Sequence, residues 1–362
     1  MTDIGKFALV VPQEFKVHYD AHSFEISGLL NWARALGGDV LTINADLSSY
    51  DTILTNVSST ENEYISVIRQ MNPDANVICC FDYGFDIVND YFLPGFERRI
   101  ATVMARADHV FSVNKNQVDW VRLMLASVGV EKPVHYIPHP SDIDNIHRYR
   151  RPVERREPDA VAVMWHQYDN YQIQPLLVLK AVERKLKRRL KKILIGLKVQ
   201  KMMELGIQTL AAGIPVIGDD HPEPSLRGRP LDPDLPKIVR PVPPGVAWDS
   251  VMPYLGVEPW YGMLSGFYAA LDLYTINSIG RFGIDCAGVG VPLIASRMTD
   301  SADMLYPFSR VNPLESKDAV RLLTKLLSSS EHYARVEKTA LKNLTHYGFS
   351  ESRARMMRML KG

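Results

Sequence analysis

The chain has 362 residues, 46% of them hydrophobic, and a formal net charge of +1. It is therefore long enough for two cores and carries no global field that would draw it onto nucleic acid or membrane. Its three cysteines, Cys79, Cys80 and Cys286, fit neither a disulfide framework nor a zinc spacing, which points to a reducing, cytoplasmic setting. No stretch approaches the roughly 18 apolar residues of a membrane span, and the apolar run near Met1 is too short for a signal-peptide core.

In chain order, strands and helices alternate in the way that builds a parallel sheet. Residues 7–11 read as a buried strand, 24–36 as helix, 40–44 and 52–57 as strands, 61–70 as helix and 76–81 as strand. Residues 96–107 then read as helix, 110–113 as strand, 115–128 as helix and 135–138 as a closing strand. The stretch 149–159 (YRRPVERREPD) is charged, contains proline and has no apolar period, so the domain boundary is placed there. A second domain opens with a strand at 160–165. A helix follows in which Leu179, Val182, Leu186 and Leu190 share a face, and then a strand at 193–197. The proline-rich stretch 219–245 reads as an insertion or lid, and the tail from residue 317 onward as helical.

The segment 260–296 is the most informative. WYGMLSGFYAALDL is expected to be one apolar helix, with Met263, Leu264, Phe267, Tyr268 and Leu271 at helical offsets. A short strand at 273–276 follows, then a turn bracketed by Ser278, Gly280 and Gly283, a small-residue helix, and Gly290-Val291-Pro292 before a buried strand. In a parallel sheet such a turn lies at the carboxyl edge of the strands, where ligands bind. Backbone N–H groups around residues 282–285 would favour a phosphate.

Phe282-Gly283, Gly290-Val291-Pro292 and the apolar strand after them resemble the C-terminal domain of GT-B-fold glycosyltransferases, particularly the retaining type related to glycogen and sucrose synthases. VFSVN, a helix and VHYIPHPSDID resemble that family's closing unit of the first domain, with His139-Pro140 in place of Asn-Gly. The family's two glutamates are absent: counting back from Pro292 puts Asn277 at the first and Asp285 at the second. A count forward from Phe282 gives another register, with a three-residue deletion.

The resemblance implies an α/β fold of the GT-B type, with two Rossmann-like doubly wound domains and an interdomain cleft. Residues 1–150 would form the acceptor domain, 151–345 the nucleotide-sugar domain, and 346–362 a helix crossing back to the first. It implies transfer from a nucleotide sugar, such as a UDP-sugar, to a hydroxyl acceptor: glycan, lipid, small molecule or modified DNA base. The nucleotide sugar is a donor substrate, and neither a cofactor nor a metal is implied. Asp232-Pro233-Asp234 mimics an Asp-x-Asp metal signature, but it lies in a proline-rich loop rather than at a strand end.

Ser278, Gly280, Arg281, Phe282, Gly283, Ile284 and Asp285 are the candidate diphosphate-binding residues. Asp285 stands in for the ribose carboxylate and Arg281 is an added partner for the diphosphate. Lys198 and Lys201, after the strand at 193–197, fit either a cation aimed at the leaving phosphate or plain surface lysines. On the catalytic side, Asp20 after the first strand fits a base or, with Ser23, a helix N-cap. His166 fits a cleft residue or a structural histidine, and Asp82 ends a strand where it would line the cleft. Residues 184–201 hold nine Lys/Arg and no acid. They read as a solvated helix face or, alternatively, as a peripheral membrane or nucleic-acid contact. Two rival functions stay open: a viral-type enzyme glycosylating a hydroxymethylated DNA base, and a non-catalytic nucleotide-sugar-binding module.

Overall fold

The computed structural model describes residues 4–13, 16, 28–57, 64–82, 96–164, 173–196, 250–253, 257–275 and 277–362. The chain divides into two compact units. Unit 1 is Met1–Ile143 with Asn277–Ile279 and Thr345–Gly362; unit 2 is Asp144–Ile276 with Gly280–Leu344.

Unit 1 is built on six parallel strands: β1 Phe7–Val10, β2 Asp39–Leu41, β3 Thr52–Asn56, β4 Asn76–Phe81, β5 His109–Ser112 and β6 Val134–Tyr136, ordered β2-β1-β3-β4-β5-β6. Helices α1 Asn31–Leu36, α2 Tyr64–Met71, α3 Phe96–Ala105 and α4 Val118–Ala126 connect them. The alternation along β1 decides which residues meet which layer. Ala8 and Val10 join Ile65, Ile68, Met104 and Val121 on one face, while Phe7 and Leu9 join Trp32, Leu36, Met356 and Met359 on the other. The last two belong to the C-terminal helix Phe349–Met359, so the chain's end completes the first unit's core. Helix α1 stops at Gly37, whose φ of 73° lets its N–H reach Ala33 O at 2.9 Å.

Unit 2 also carries six parallel strands: β7 Glu157–Met164, β8 Lys191–Gly196, β9 Ser250–Pro253, β10 Phe267–Asp272, β11 Leu293–Ser296 and β12 Arg310–Val311. Their order, β9-β8-β7-β10-β11-β12, is third, second, first, fourth, fifth, sixth within the unit. That is the doubly wound dinucleotide-fold order, with its switch point between β7 and β10. Its helices are α5 Ile143–His147 at the unit boundary, α6 Ile173–Leu186, α7 Val257–Leu264, α8 Arg281–Val289, α9 Asp300–Leu305, α10 Ser316–Ser328 and α11 Ser330–Asn343; the C-terminal helix of unit 1 is α12. On α10, Ala319, Val320, Leu322, Leu323, Leu326 and Leu327 form the buried stripe. The Ser329 hydroxyl caps α11 by accepting from His332 N.

Two sequence readings are corrected. The apolar run from Trp260 is not one helix: α7 ends at Leu264 and, after a Ser265-Gly266 turn, Phe267–Asp272 is strand β10, paired on both sides. A strand buried on both faces is apolar throughout, so helical offsets occur in it by default. Residues 273–275 are consequently loop. The stretch 149–159 lies within unit 2, which begins at Asp144. Arg156, which reads as linker charge, is 4% exposed and donates to Gly290 O, Arg151 O and the Tyr333 hydroxyl beside Glu337. Finally, Lys187 at φ 52° ends α6, so the buried Leu190 precedes β8 from a loop and is not on the helix face. The proline-rich stretch 219–245 lies outside the described residues.

Candidate functional site

Helix α8 starts where the fold of unit 2 favours a ligand, after β10 at the switch point. Gly280 at its N-cap has φ 73°, and a Cβ there would lie 2.3 Å from Ser301 Oγ and 2.7 Å from Thr299 Cβ. Only glycine accepts both the left-handed backbone and the close approach. The surrounding backbone is fixed by side chains. Asp272 Oδ1 accepts from Tyr274 N at 3.1 Å, and the Ser296 hydroxyl donates to Tyr274 O at 2.5 Å. Ser301 donates to Gly280 O and Tyr306 to Gly283 O, each at 2.8 Å.

The helix begins at Arg281, earlier than the sequence suggests, and Gly283 N already donates to Gly280 O at 2.9 Å. The N–H groups at the open end are therefore those of Arg281 and Phe282, while those of Ile284 and Asp285 fall within the helical ladder. Gly283 belongs to the helix rather than the turn: a Cβ there would meet Ser301 Oγ at 2.7 Å.

Arg281 and Asp285 are one turn apart, with Nε 3.0 Å from Oδ1. The Tyr261 hydroxyl accepts from Arg281 Nη2 at 3.3 Å and donates to Asp285 Oδ1 at 3.4 Å. Trp260 Nε1 donates to Asp285 Oδ2 at 3.2 Å. Both carboxylate oxygens are thus committed, and the Asp285 side chain is only 2% exposed against 18% for Arg281. Asp285, expected as the ribose carboxylate, is here the partner of the Arg281 guanidinium. Arg281 Nη1 is buried and has no hydrogen-bond partner among the described residues. Burial raises the Asp285 carboxyl, against the pull of Arg281 and the two aromatic donors. Burial works to lower Arg281, but the adjoining carboxylate more than reverses it and the guanidinium stays charged. Cys286 is pushed well up by burial and is no nucleophile.

In unit 1, Asp82 follows β4 at the carboxyl edge, with Oδ2 2.9 Å from His139 Nε2. Asn277–Ile279 group with unit 1, so Ser278 is not in the unit that holds Gly280 to Asp285. Asp20, His166, Lys198 and Lys201 lie outside the described residues. In the basic run, Lys192 is buried against Glu183 at 2.9 Å, Lys191 meets Glu157 at 3.0 Å and Arg188 meets Asp159 at 3.2 Å. Arg184, Lys185, Lys187, Arg188 and Arg189 are exposed. Among the described residues no group of three or more His, Cys, Asp or Glu is placed to hold a metal, and no helix is long and apolar enough to cross a membrane.

Sequence reasoning missed Trp260 and Tyr261, which open the expected long helix but lie off its packing stripe; their partner Asp285 lies more than twenty positions on, with no periodic link between them. His139 did leave a signal, as a departure from the family's Asn-Gly.

No family model matches the chain, and no curated protein matches it in sequence. Solved structures do match. Trehalose-6-phosphate synthase OtsA aligns over 98% of this chain and 99% of its own, at TM-score 0.70 and 9% identity. An alpha-glucosyltransferase, solved in complex with UDP-glucose and DNA containing an abasic site, aligns over 99% of this chain and 98% of its own, at TM-score 0.60 and 10% identity. A UDP-forming trehalose-phosphate synthase from Burkholderia xenovorans aligns over 86% and 74%, at TM-score 0.61 and 10% identity. At such identities the likeness establishes the fold: two Rossmann-like parallel-sheet domains of the GT-B type.

Proposed function

We propose that the chain is a glycosyltransferase moving a sugar from a nucleotide-diphosphate donor to a hydroxyl acceptor. The observation that carries this reading is Arg281, a charged guanidinium whose buried Nη1 has no partner among the described residues, at the start of α8 beside the switch point of unit 2. When a glycosidic bond to a diphosphate breaks, negative charge grows on the departing phosphate. A fixed cation and a helix N-terminus stabilise that charge without reorganising. In this proposal they do so without a metal, unit 2 takes the nucleotide and unit 1 the acceptor. Structural neighbours that are alpha-glucosyltransferases bound to UDP or UDP-glucose, and a UDP-forming alpha,alpha-trehalose-phosphate synthase, favour a UDP-sugar and retention of configuration.

A modified DNA base is the second reading for the acceptor. It is favoured by the DNA-bound alpha-glucosyltransferases that align over nearly the whole chain and by the exposed basic end of α6. A steep salt dependence of duplex binding supports it, and absence of binding at low salt removes it.

The test of the main reading is a thermal-shift screen of nucleoside diphosphates and nucleotide sugars, followed by detection of the transferred product. A ligand at 100 times its Kd stabilises the fold by about 2.7 kcal/mol. If no nucleoside diphosphate raises the melting temperature, the reading fails.

A further inference from the structure

The environment of His139 assigns it a job that its burial alone does not. Its side chain is 6% exposed, while that of Asp82 is 36% exposed, so a ligand can reach the carboxylate but not the ring. Neutral imidazole has one N–H and one lone pair, and an indole N–H only donates. Trp32 Nε1 lies 3.1 Å from His139 Nδ1 and donates to it. Nδ1 must therefore carry the lone pair and Nε2 the ring proton; Nε2 is buried and lies 2.9 Å from Asp82 Oδ2, but its N–H makes no aligned hydrogen bond to that oxygen or to any other described group. In the other tautomer two N–H groups would face each other at Nδ1 and a lone pair would face a carboxylate at Nε2, so both contacts would become repulsive.

The rest of unit 1 holds this geometry in place. Trp32 is fully buried and packs edge-on against Phe111, with ring centroids 5.7 Å apart. Asn31 Nδ2 donates to Pro140 O at 3.0 Å, Arg34 pairs with Asp142 at 2.5 Å, and Ser141 N donates to Tyr347 O at 2.7 Å. Gly28 leaves the space the ring needs, since a Cβ there would sit 2.5 Å from His139 Cβ. Asn31, Trp32 and Arg34 thus tie α1 to Pro140, His139 and Asp142, and the Trp32 bond falls on the ring that faces Asp82.

We propose that His139 is a positioning residue: locked by Trp32 in its Nε2-protonated form, it sets a buried N–H with no aligned partner beside one oxygen of the Asp82 carboxylate, to close on it when the acceptor binds, and leaves the other oxygen to accept the hydrogen of the acceptor hydroxyl. The proposal rests on the reading of unit 1 as the acceptor domain. Asp82 touches the acceptor, and His139 acts through it.

The experiment has two arms on the full chain. Long-range ¹⁵N–¹H correlation of the imidazole rings should show His139 with its proton on Nε2, and Trp32→Phe should bring in the Nδ1–H form. A wild-type ring protonated on Nδ1 overturns the proposal. This arm needs no turnover, so it judges His139 even if no nucleotide sugar proves to be a donor. In the second arm, at saturating donor, His139→Ala should lower kcat about 10-fold or more, as small misplacements of reacting groups do, without raising the donor KM. His139→Gln, which returns an N–H near Nε2, should recover part of the loss. In an Asp82→Asn background, His139→Ala should cost nothing further, because both changes remove the same unit. Additive losses in variants that melt like the wild type, or an unchanged kcat in His139→Ala, overturn it.

Discussion

The start of α8 in unit 2 and the carboxyl edge of β4 in unit 1 use the same device with opposite polarity. In unit 2 the carboxylate of Asp285 is the buried anchor, 2% exposed, and the more accessible group is the guanidinium of Arg281. In unit 1 the ring of His139 is the buried anchor and the more accessible group is the carboxylate of Asp82. In each case a tryptophan N–H fixes the anchor: Trp260 on Asp285 and Trp32 on His139. One edge presents a cation, suited to a departing diphosphate, and the other presents an anion, suited to a hydroxyl. In the proposed function this contrast becomes a chemical division of labour between the two Rossmann-like sheets, resting on which partner each sheet buries.

The comparison breaks most sharply at Arg281. Arg281→Ala removes the presented cation, and transfer should fall by about 10²–10³-fold in kcat, the usual cost of losing a group that stabilises transition-state charge; steady-state kinetics reads it. Asp285→Asn keeps the cation but removes its anchor. Stripping one partner from a buried ion pair costs about 3 kcal/mol or more, so chemical denaturation should show a destabilised fold along with weaker donor binding. Gly280→Ala places a side chain at φ 73° and against Ser301. It should cost at least about 1–2 kcal/mol and misplace the helix start, visible as a lowered melting temperature and a raised donor KM.

The smallest effect is at His346 in unit 1. Burial and the neighbouring Arg355 hold its pKa down, to about 4, and Nδ1 lies 2.7 Å from Arg355 Nη2. Between about pH 6.5 and 4 the unfolded chain binds a proton that the folded chain refuses, so stability falls as pH drops through that window. His346→Gln should flatten that slope in urea melts at pH 4.5 and 7 and leave transfer unchanged. A steeper slope would contradict the account.

The sheets were legible because parallel strands are buried on both faces: β4 reads as NVICCF and is observed as Asn76–Phe81. For the same reason β10 was not, since FYAALD satisfies helical spacing as well as it does a strand, and only pairing with β7 and β11 decides. Arg281 could be found from its place beside a glycine turn. Its partners could not, because Trp260 and Tyr261 reach Asp285 through tertiary packing. Arg156 shows the converse, a charge-rich stretch that reads as linker while one of its arginines ties β7 to the end of α8.

The central claim is that Arg281, held by Asp285, reads the diphosphate of a nucleotide donor. Isothermal titration of UDP and UMP into the wild type and Arg281→Ala tests it most directly. The account requires tighter binding of UDP than of UMP by the wild type, and loss of that preference in the variant with UMP affinity little changed. An equal preference in both proteins, or no binding of any nucleoside diphosphate to the wild type, would contradict it.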